Sequence, residues 1–390
     1  MTVNETKDLL NEYTDYLIDD ADILHPRWNI EVLNSGKTNK WNYIDGCMIS
    51  SLIRLYEITG NRKYLDFSDT YMDEFIDEDG SIKTYDPLEY NIDRIKPGCA
   101  LFTLYDITGK EKYKKAMDLL RSQLSTHPRT REGNFWHKKI YPYQVWLDGL
   151  YMAQPFYTEY ERRYNGMNGC IDAFRQFENV KRIMRDEKTG LYYHGYDESR
   201  EMYWADKKTG LSANFWLRAT GWYMAALVDT IEAIGEQMYY EYRTLQETLK
   251  DLSDSLLKYV DEDTSMFFQV IDKKEVRGNY PETSGSALIA YAFLKGARLK
   301  YLPERFGEEG KKIFYGITQK YLSKKEDGTP VLKGICYMAG LGGEKHRDGS
   351  VEYYLSEPVV DNDAKGTGPL IMAYVEILSM EKEQMKDRIL

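Results

Sequence analysis

A repeated helix-turn-helix segment constrains this chain more than any other feature. The segment "LYEITGNRKYLDF" at positions 55–67 is matched by "LYDITGKEKYKKA" at positions 104–116. Each segment has the pattern of one helix ending at Thr-Gly and a second helix beginning, because glycine commonly caps a helix in the left-handed conformation. The repeat therefore predicts a helical hairpin of about fifty residues as the structural unit of the chain.

Six segments have the pattern of the first helix of such a unit: a polar start, a glycine, and then apolar residues at helical spacing. More charged, amphipathic segments such as "KYLDFSDTYMDEFI" and "GKKIFYGITQKYL" lie between them. This alternation predicts an all-α (α/α)6 barrel, a ring of six hairpins, with residues 1–390 forming a single domain. The six inner segments are "NYIDGCMISSLIRLYEITG", "NIDRIKPGCALFTLYDITG", "VWLDGLYMAQPFYTEY", "FWLRATGWYMAALVDTIEAIG", "ETSGSALIAYAFLKGA" and "DNDAKGTGPLIMAYVEIL".

An open helical solenoid is the structural alternative, since it also alternates its helices and binds a partner along its concave face. The spacing between the units is uneven, and long loops follow the third unit and precede the sixth. Solenoids rarely vary this much, so the pattern favours the closed ring. Short β-strands are compatible with the two long loops.

Charge and composition exclude several classes of partner. The formal net charge is -11 at pH 7 and no run of basic residues stands out, which argues against nucleic acid and against an anionic membrane surface. The acidic start of the chain lacks the pattern of a secretory signal and no segment is apolar enough to span a membrane, so we expect a cytoplasmic protein. The four cysteines show no paired spacing, which predicts core residues and no metal site. The oligomeric state is not readable from the sequence.

The predicted ring places one end of every inner helix on the same face. Helix N-termini present free N–H groups and partial positive charge, so the face that gathers them suits an anionic ligand. The residues close to the helix-starting glycines are expected to form the rim of this face. They are Asp45, Asp93, Asp148, Arg218, Trp222, Glu282 and Asp363.

Asp148 is a charged residue inside the otherwise aromatic and aliphatic stretch "YPYQVWLDGLYMAQPF". A helix N-cap is a common role for such an aspartate. The apolar neighbours Trp146 and Leu147 favour a general acid instead, because desolvation raises a carboxyl pKa toward neutrality. Asp93 lies about one repeat earlier, so the two carboxylates are expected on adjacent inner helices, where repulsion raises the pKa of Asp148 further.

Two histidines and an Arg-Trp pair extend the candidate site. His137 and His194 are flanked by aromatic residues, and the alternative for each is a hydrogen-bonded loop histidine. Arg218 and Trp222 are four residues apart and share a helical face, either as an ion pair over a core tryptophan or as a cation and a stacking surface for an acidic sugar. A rim with two carboxylates and several aromatic rings indicates glycoside chemistry. No phosphate-binding loop, HExxH or GxSxG motif is present.

The stretch "YPYQVWLDGLYMAQPF" closely resembles the signature of the unsaturated rhamnogalacturonyl hydrolases, glycoside hydrolase family 105, and more distantly the unsaturated glucuronyl hydrolases of family 88. The resemblance extends over nearly the whole chain, through "WNYIDGCMISSLIRLYEITGNRKYL", "LYYHGYD" and "WLRATGWY". It implies an (α/α)6 catalytic domain without metal or organic cofactor that acts on a small oligosaccharide. The implied reaction is hydration of the C4=C5 double bond that a polysaccharide lyase leaves on the non-reducing uronic acid.

The resemblance also implies roles for individual residues. Asp148 matches the general acid and base, and Asp93 the second carboxylate, which holds ring hydroxyls and tunes Asp148. Rhamnose from pectin is the expected next sugar, with sulfated rhamnose or a glycosaminoglycan hexosamine as alternatives, and the loops around 197–208 and 340–354 are expected to shape the site for it. The residues implied to line the uronate subsite are Tyr43, His137, Trp146, His194, Arg218 and Trp222.

Two other functions stay open from the sequence. The first is a conventional inverting glycosidase on the same ring, with Asp93 as base and Asp148 as acid, which needs the carboxylates about 6.5–9.5 Å apart to admit a water. The second is a helical binding module without catalysis. It predicts that substitution of Asp148 leaves the function intact.

Overall fold

The computed structural model describes residues 2–344 and 346–389, and this part of the chain is mostly helical with a few short strands. The helices are α1 (Val3–Ile18), α2 (Ile30–Ser35), α3 (Tyr43–Thr59), α4 (Arg62–Phe75), α5 (Gly98–Thr108), α6 (Glu111–Thr126), α7 (Gly149–Tyr164), α8 (Cys170–Met184), α9 (Leu217–Ile234), α10 (Tyr239–Leu256), α11 (Thr283–Arg298), α12 (Arg305–Tyr321), α13 (Val351–Ser356) and α14 (Ala364–Ile389). The strands form three antiparallel pairs: β1 (Gln144–Trp146) with β2 (Gly195–Asp197), β3 (Leu322–Lys324) with β4 (Pro330–Leu332), and β5 (Ile335–Cys336) with β6 (Val359–Val360).

The inner helices close a ring. Helix α3 packs against α5, α5 against α7, α7 against α9, α9 against α11, α11 against α14, and α14 returns to α3. An open solenoid has no contact between its first and last units, so the α14–α3 contact decides between the two architectures. The predicted all-α (α/α)6 barrel is confirmed, and the solenoid alternative is wrong.

The sixth hairpin joins the two ends of the described chain. Helix α1 lies outside α14, where Lys7 pairs with Glu381 at 2.6 Å. The buried hydroxyl of Tyr13 lies 2.9 Å from Thr367 Oγ1 in the first turn of α14. The first helix of the sequence is therefore the outer partner of the last inner helix.

Inner and outer helices differ in burial as the sequence pattern predicts. Every residue from Thr283 to Gly296 in α11 is buried, because this helix contacts neighbours on all sides. In α12 the buried residues recur at helical spacing, as with Phe306, Gly310 and Ile313, so one stripe faces the ring. Most of the buried apolar residues between Leu9 and Ile377 form one continuous cluster, and a second, smaller cluster consists of Trp146, Trp204, Ala205 and Leu341.

Two glycines end inner helices where the repeat predicts. Gly60 after α3 and Gly109 after α5 adopt φ of 72° and 65°, and their N–H groups donate to Tyr56 O and Tyr105 O. A residue with a Cβ is strained at positive φ, so these positions favour glycine.

The described residues offer no metal centre. No group of three or more His, Cys, Asp or Glu side chains in this part of the chain is arranged to hold a metal ion. The cysteines are free thiols: Cys47, Cys170 and Cys336 are buried and Cys99 is half-buried. None of the described helices combines the length and the apolar character needed to cross a membrane.

Candidate active site

Strand pairing brings Asp148 and His194 together. Asp148 directly precedes α7, and β1 before it pairs with β2 so that Trp146 lies opposite Gly195. The N–H of Leu147 donates to His194 O at 2.8 Å. His194 Nε2 consequently lies 3.6 Å from Asp148 Oδ1, although the two residues are far apart in sequence.

The Asp148 carboxylate does not cap its own helix. Asp148 occupies the N-cap position of α7, yet its side chain accepts no hydrogen bond from the first turn. Its Oδ1 atom is buried and has no hydrogen-bond partner among the described residues, while the side chain as a whole is 16% exposed. The carboxylate is therefore available to a ligand at the mouth of the ring.

The expectation that the pKa of Asp148 is raised is wrong. Burial acts to raise the pKa of Asp148, but the adjacent imidazoles of His194 and His137 outweigh it, and the net pKa is below the ordinary value. The apolar residues beside Asp148 in the sequence favour a raised pKa, but both histidines converge on the carboxylate in the fold, which no local sequence pattern indicates. Burial also lowers the pKa of each histidine, despite the carboxylates nearby.

Asp93 lies on the neighbouring hairpin in a 3₁₀ turn, Ile92–Arg94, shortly before α5. Its carboxylate pairs with Lys138 Nζ at 2.6 Å and faces His137 Nε2 at 3.5 Å. Asp93 and Asp148 both act on the pKa of His137, so the three groups lie in one electrostatic cluster. Lys138 was missed by the sequence reasoning, although it directly follows His137.

Three rings form a continuous stack beside Asp148. His137 stacks on Trp146 with centroids 4.5 Å apart, and Trp146 stacks on Tyr141 at 5.0 Å. The Trp146 indole donates to Gln144 Oε1 at 3.0 Å, which fixes the plane of the ring. Flat aromatic surfaces of this kind suit the apolar face of a sugar ring.

Gly149 makes room for the His137 imidazole. A Cβ on residue 149 would lie 2.9 Å from His137 Nδ1 and 2.8 Å from Ile92 Cδ1, closer than real Cβ contacts. The glycine after Asp148 therefore allows His137 to approach the start of α7. Gly149 lies in the first turn of α7, and its role there is to leave space for the His137 ring.

Arg218 is a buried cation with free donors. Its guanidinium is 1% exposed, donates through Nη2 to Cys336 O and lies over the Trp216 ring at 5.1 Å. Its Nε and Nη1 atoms have no hydrogen-bond partner within the described chain. A guanidinium with unpaired donors in a buried setting is suited to a carboxylate ligand.

Tyr43 and Trp222, both predicted to line the uronate subsite, lie at different positions relative to Asp148. Tyr43 begins α3, and burial, followed by the charges of Glu31 and Asp93, raises its pKa, so it lies near the Asp93 side of the site. Trp222 is 2% exposed and stacks on Tyr151 at 4.8 Å, one helical turn below Arg218. The structure places Trp222 beneath the site and Tyr43 beside it.

The other acidic residues predicted for the rim have structural partners. Asp45 accepts hydrogen bonds from Trp28 Nε1 and Asn42 Nδ2, each at 2.7 Å. Glu282 caps α11 by accepting from Gly285 N at 2.8 Å, and Asp363 pairs with Lys365 at 3.1 Å. These carboxylates stabilise helix starts and are not available as Asp148 is.

The segment between β5 and β6 supplies two further residues that the sequence does not single out, Tyr354 in α13 and Arg347 before it. The Tyr354 hydroxyl is hydrogen-bonded to His194 Nδ1 at a distance of 2.7 Å. The Tyr354 ring is nearly parallel to the Trp216 ring. Arg347 bonds to Gly342 O at 2.9 Å and to Tyr141 Oη at 3.1 Å. No carboxylate of a described residue lies within 4 Å of Arg347, so it is a second cation beside the aromatic stack. Neither residue has a local sequence signal, because each contact spans a long stretch of chain.

Comparison with known proteins identifies the chain as a glycoside hydrolase both from its sequence and from its structure. The profile of Glycosyl Hydrolase Family 88 matches residues 21–381. A solved family 105 glycoside hydrolase from C. acetobutylicum is 43% identical, superposes with a TM-score of 0.86, and is matched over 94% of this chain and 99% of its own.

Two more distant relatives carry names that state an activity. The unsaturated rhamnogalacturonyl hydrolase YesR of Bacillus subtilis is 28% identical over 265 residues, which are 66% of this chain and 72% of the relative. The unsaturated glucuronyl hydrolase of Bacillus sp. GL1 is 15% identical with a TM-score of 0.68 and covers 96% of each chain, which shows a shared fold. The chain therefore belongs to Glycosyl Hydrolase Family 88, and within it the chain is similar over nearly its whole length to the family 105 hydrolase from C. acetobutylicum.

Proposed function

We propose that this glycoside hydrolase removes a 4,5-unsaturated uronic acid from the non-reducing end of lyase-generated oligosaccharides by hydrating the C4=C5 double bond. The observation that carries the proposal is a set of buried polar atoms without hydrogen-bond partners among the described residues. They belong to His137, Asp148, His194 and Arg218, and they lie at the end of the ring where the inner helices begin. Buried polar atoms are normally paired, so this concentration indicates a ligand site.

Arg218 is the proposed receptor for the uronate carboxylate. Two of its nitrogen atoms are unpaired, and planar guanidinium donors match a carboxylate in a two-point contact. The aromatic stack of His137, Trp146 and Tyr141 is the proposed wall for the sugar ring. Asp93 is tied to Lys138, so its proposed task is to orient substrate hydroxyls and His137 rather than to activate a water molecule.

Asp148 is the proposed acid and base. In the first step it donates its proton to C4 of the vinyl ether, and the positive charge develops at C5 and the ring oxygen. In the second step Asp148 accepts a proton from water as the oxygen bonds to C5. The resulting hemiketal opens, releases the neighbouring sugar and leaves a 4-deoxy-5-keto uronate, so that one water is consumed and Asp148 is regenerated.

The lowered pKa of Asp148 is compatible with this role. An entering uronate excludes water from the mouth and adds a negative charge, and both effects raise a carboxyl pKa. Asp148 then takes up the proton that it delivers to C4. Substrate binding and protonation of the catalytic acid are therefore coupled.

Rhamnose is the proposed next sugar, and the name of the Bacillus subtilis relative supports it. The unsaturated residue itself carries no information about its origin, because elimination removes the C4 configuration that distinguishes galacturonate from glucuronate. An unsaturated glucuronyl hydrolase with another aglycone is the alternative. Separate lyase products with rhamnose, sulfated rhamnose and hexosamine as the second sugar distinguish these substrates.

The test follows the ultraviolet absorbance of the double bond in an unsaturated rhamnogalacturonan disaccharide. The native protein is expected to remove the absorbance. Asp148→Asn is expected to be slower by at least about a hundredfold, as for loss of a general acid. Asp66→Asn, at a 60% exposed position on outer helix α4, is the matched control and keeps full activity. Release of rhamnose with the absorbance retained would establish conventional glycosidase chemistry and overturn the proposal.

A further inference from the structure

A large cavity lies at the end of the ring opposite the catalytic carboxylates. Its volume is about 780 Å³, and its lining includes residues from the C-terminal halves of α3, α9, α11 and α14. It also reaches Lys96, just before α5, and Tyr151 in the first turn of α7. The cavity therefore extends along the ring toward the floor of the candidate active site.

Lys96 lies at the deep end of this cavity and is 2% exposed. Its Nζ atom lies 3.7 Å from the centre of the Tyr151 ring and 3.7 Å from Cys99 Sγ. No carboxylate oxygen of a described residue lies within 4 Å of it. Burial acts to lower the pKa of Lys96, but neighbouring groups, led by Cys99 and Tyr151, raise it overall, so the ammonium is charged.

The nearby acidic groups are already engaged. Asp229 pairs with Lys295 at 2.6 Å and with Arg54 at 3.3 Å, and Glu232 pairs with Lys295 at 2.6 Å. Of the three cations in this part of the cavity, Lys96 alone has no carboxylate oxygen of a described residue within 4 Å, although the charge of Asp229 acts on its pKa. A buried ammonium without a directly bonded counter-ion is unfavourable, and an anion from solution relieves it.

Two further donors face the same cavity. The hydroxyl of Ser50 is buried and has no hydrogen-bond partner among the described residues. Arg54 follows four residues later on α3, so the two side chains share one face of the helix. A hydroxyl, an ammonium and a guanidinium together suit oxygen acceptors.

We propose that Lys96, Ser50 and Arg54 form a binding site for a small oxyanion, a carboxylate or a phosphate, inside the ring and separate from the catalytic mouth. The cavity is open toward the C-terminal ends of the inner helices, which gives the anion an entry route that the sugar substrate does not use. The site lies behind Tyr151, one turn along α7 from Asp148. An anion bound here neutralises the charge of Lys96 beneath the active site.

Isothermal titration with sodium phosphate, and separately with sodium acetate, in Tris hydrochloride buffer without other oxyanions tests the proposal. The native protein is expected to bind one oxyanion per chain. Lys96→Met, which keeps the side-chain length and removes the charge, is expected to weaken binding at least tenfold, and Ser50→Ala several-fold.

Thermal unfolding supplies the second readout. Without oxyanion, Lys96→Met is expected to unfold at the same temperature as the native protein or higher, because it lacks the unpaired buried cation. With phosphate the native protein is expected to gain stability and the variant is not, since only a bound ligand shifts the transition. Ser50→Ala provides the test if Lys96→Met does not fold.

Three results overturn the proposal. They are the absence of saturable binding to the native protein, unchanged affinity in both Lys96→Met and Ser50→Ala, and binding that disappears in Arg218→Met but persists in Lys96→Met. The last result would place the anion at the catalytic mouth. None of these readouts depends on the activity assay, so the oxyanion site and the proposed hydration reaction fail or stand separately.

Discussion

The hydroxyl of Tyr354 lies 2.7 Å from Nδ1 of His194, on the side of the imidazole away from Asp148. Nε2 faces the Asp148 carboxylate at 3.6 Å, and an ionised carboxylate can only accept, so the neutral imidazole is favoured with its proton on Nε2. Nδ1 is then an acceptor for the Tyr354 hydroxyl, whose pKa is raised by burial. Tyr354 therefore supports this tautomer of His194, a task that no residue near His194 in the sequence performs.

The pH dependence of activity follows from the lowered pKa values of Asp148 and His194. The proposed active form carries one proton on this pair, with Asp148 protonated and His194 neutral. The pair loses that proton above the higher of its two pKa values, which burial of His194 places below the ordinary 6.5. We expect kcat/KM to be highest on the acid side of neutrality and to fall about tenfold per pH unit above that point.

The measurement is the initial rate of absorbance loss at low substrate across about pH 4 to pH 8. The profile of kcat is expected to extend to higher pH than that of kcat/KM, because bound uronate raises the pKa of Asp148. A kcat/KM that rises from acid to neutral pH would contradict Asp148 as the proton donor.

Tyr354→Phe removes the donor that favours neutral His194. We expect kcat to fall about tenfold and the alkaline limb of the kcat/KM profile to move to higher pH, because His194 then holds its proton more strongly. Leaving the buried Nδ1 unpaired is expected to lower the free energy of unfolding by about 1–3 kcal/mol. Tyr374→Phe, which removes a hydroxyl bonded to Asn11 on the far side of α14, is the control and leaves the pH profile unchanged. A purely structural role for Tyr354 predicts lost stability without the pH shift.

Gly149→Ala forces a Cβ against His137 and Ile92. We expect kcat/KM to fall by about ten- to a hundredfold and the free energy of unfolding to fall by about 1–3 kcal/mol, as for an overpacked site. A double-mutant cycle with His137→Ala separates the causes. If the glycine exists to admit His137, Gly149→Ala has little further effect on kcat/KM in the His137→Ala background; full additivity would refute this interpretation.

Arg347→Gln removes a cation that lies beside the aromatic stack. This cation has no carboxylate partner among the described residues. We expect KM for the anionic substrate to rise about tenfold at low salt while kcat changes less than about twofold, because electrostatic attraction acts mainly on encounter and binding. Added salt is expected to reduce the difference between the native protein and the variant. Arg277→Gln, at an exposed position away from the stack, is the matched control. Equal loss at low and high salt would show that Arg347 only holds its loop.

The helices and their order were predictable from the sequence because they depend on local chemistry. A helix requires apolar residues at 3.6-residue spacing and a residue such as Gly60 that tolerates positive φ at its end, and both lie within a few positions of each other. Repetition of that local unit was sufficient to predict a ring. The place of Asp148 at the start of α7 follows from the same pattern.

The partners of Asp148 were decided only by the tertiary structure. His194 reaches Asp148 because β1 pairs with β2, Tyr354 reaches His194 from the short helix α13 near the other end of the chain, and Lys138 pairs with Asp93. A carboxyl pKa depends on every charge and hydrogen bond within a few ångströms, whichever part of the chain supplies them. The sequence by itself therefore determined the helical ring and the position of the candidate acid, whereas the three-dimensional packing determined its protonation, because that property depends on distances in space and not on spacing along the chain.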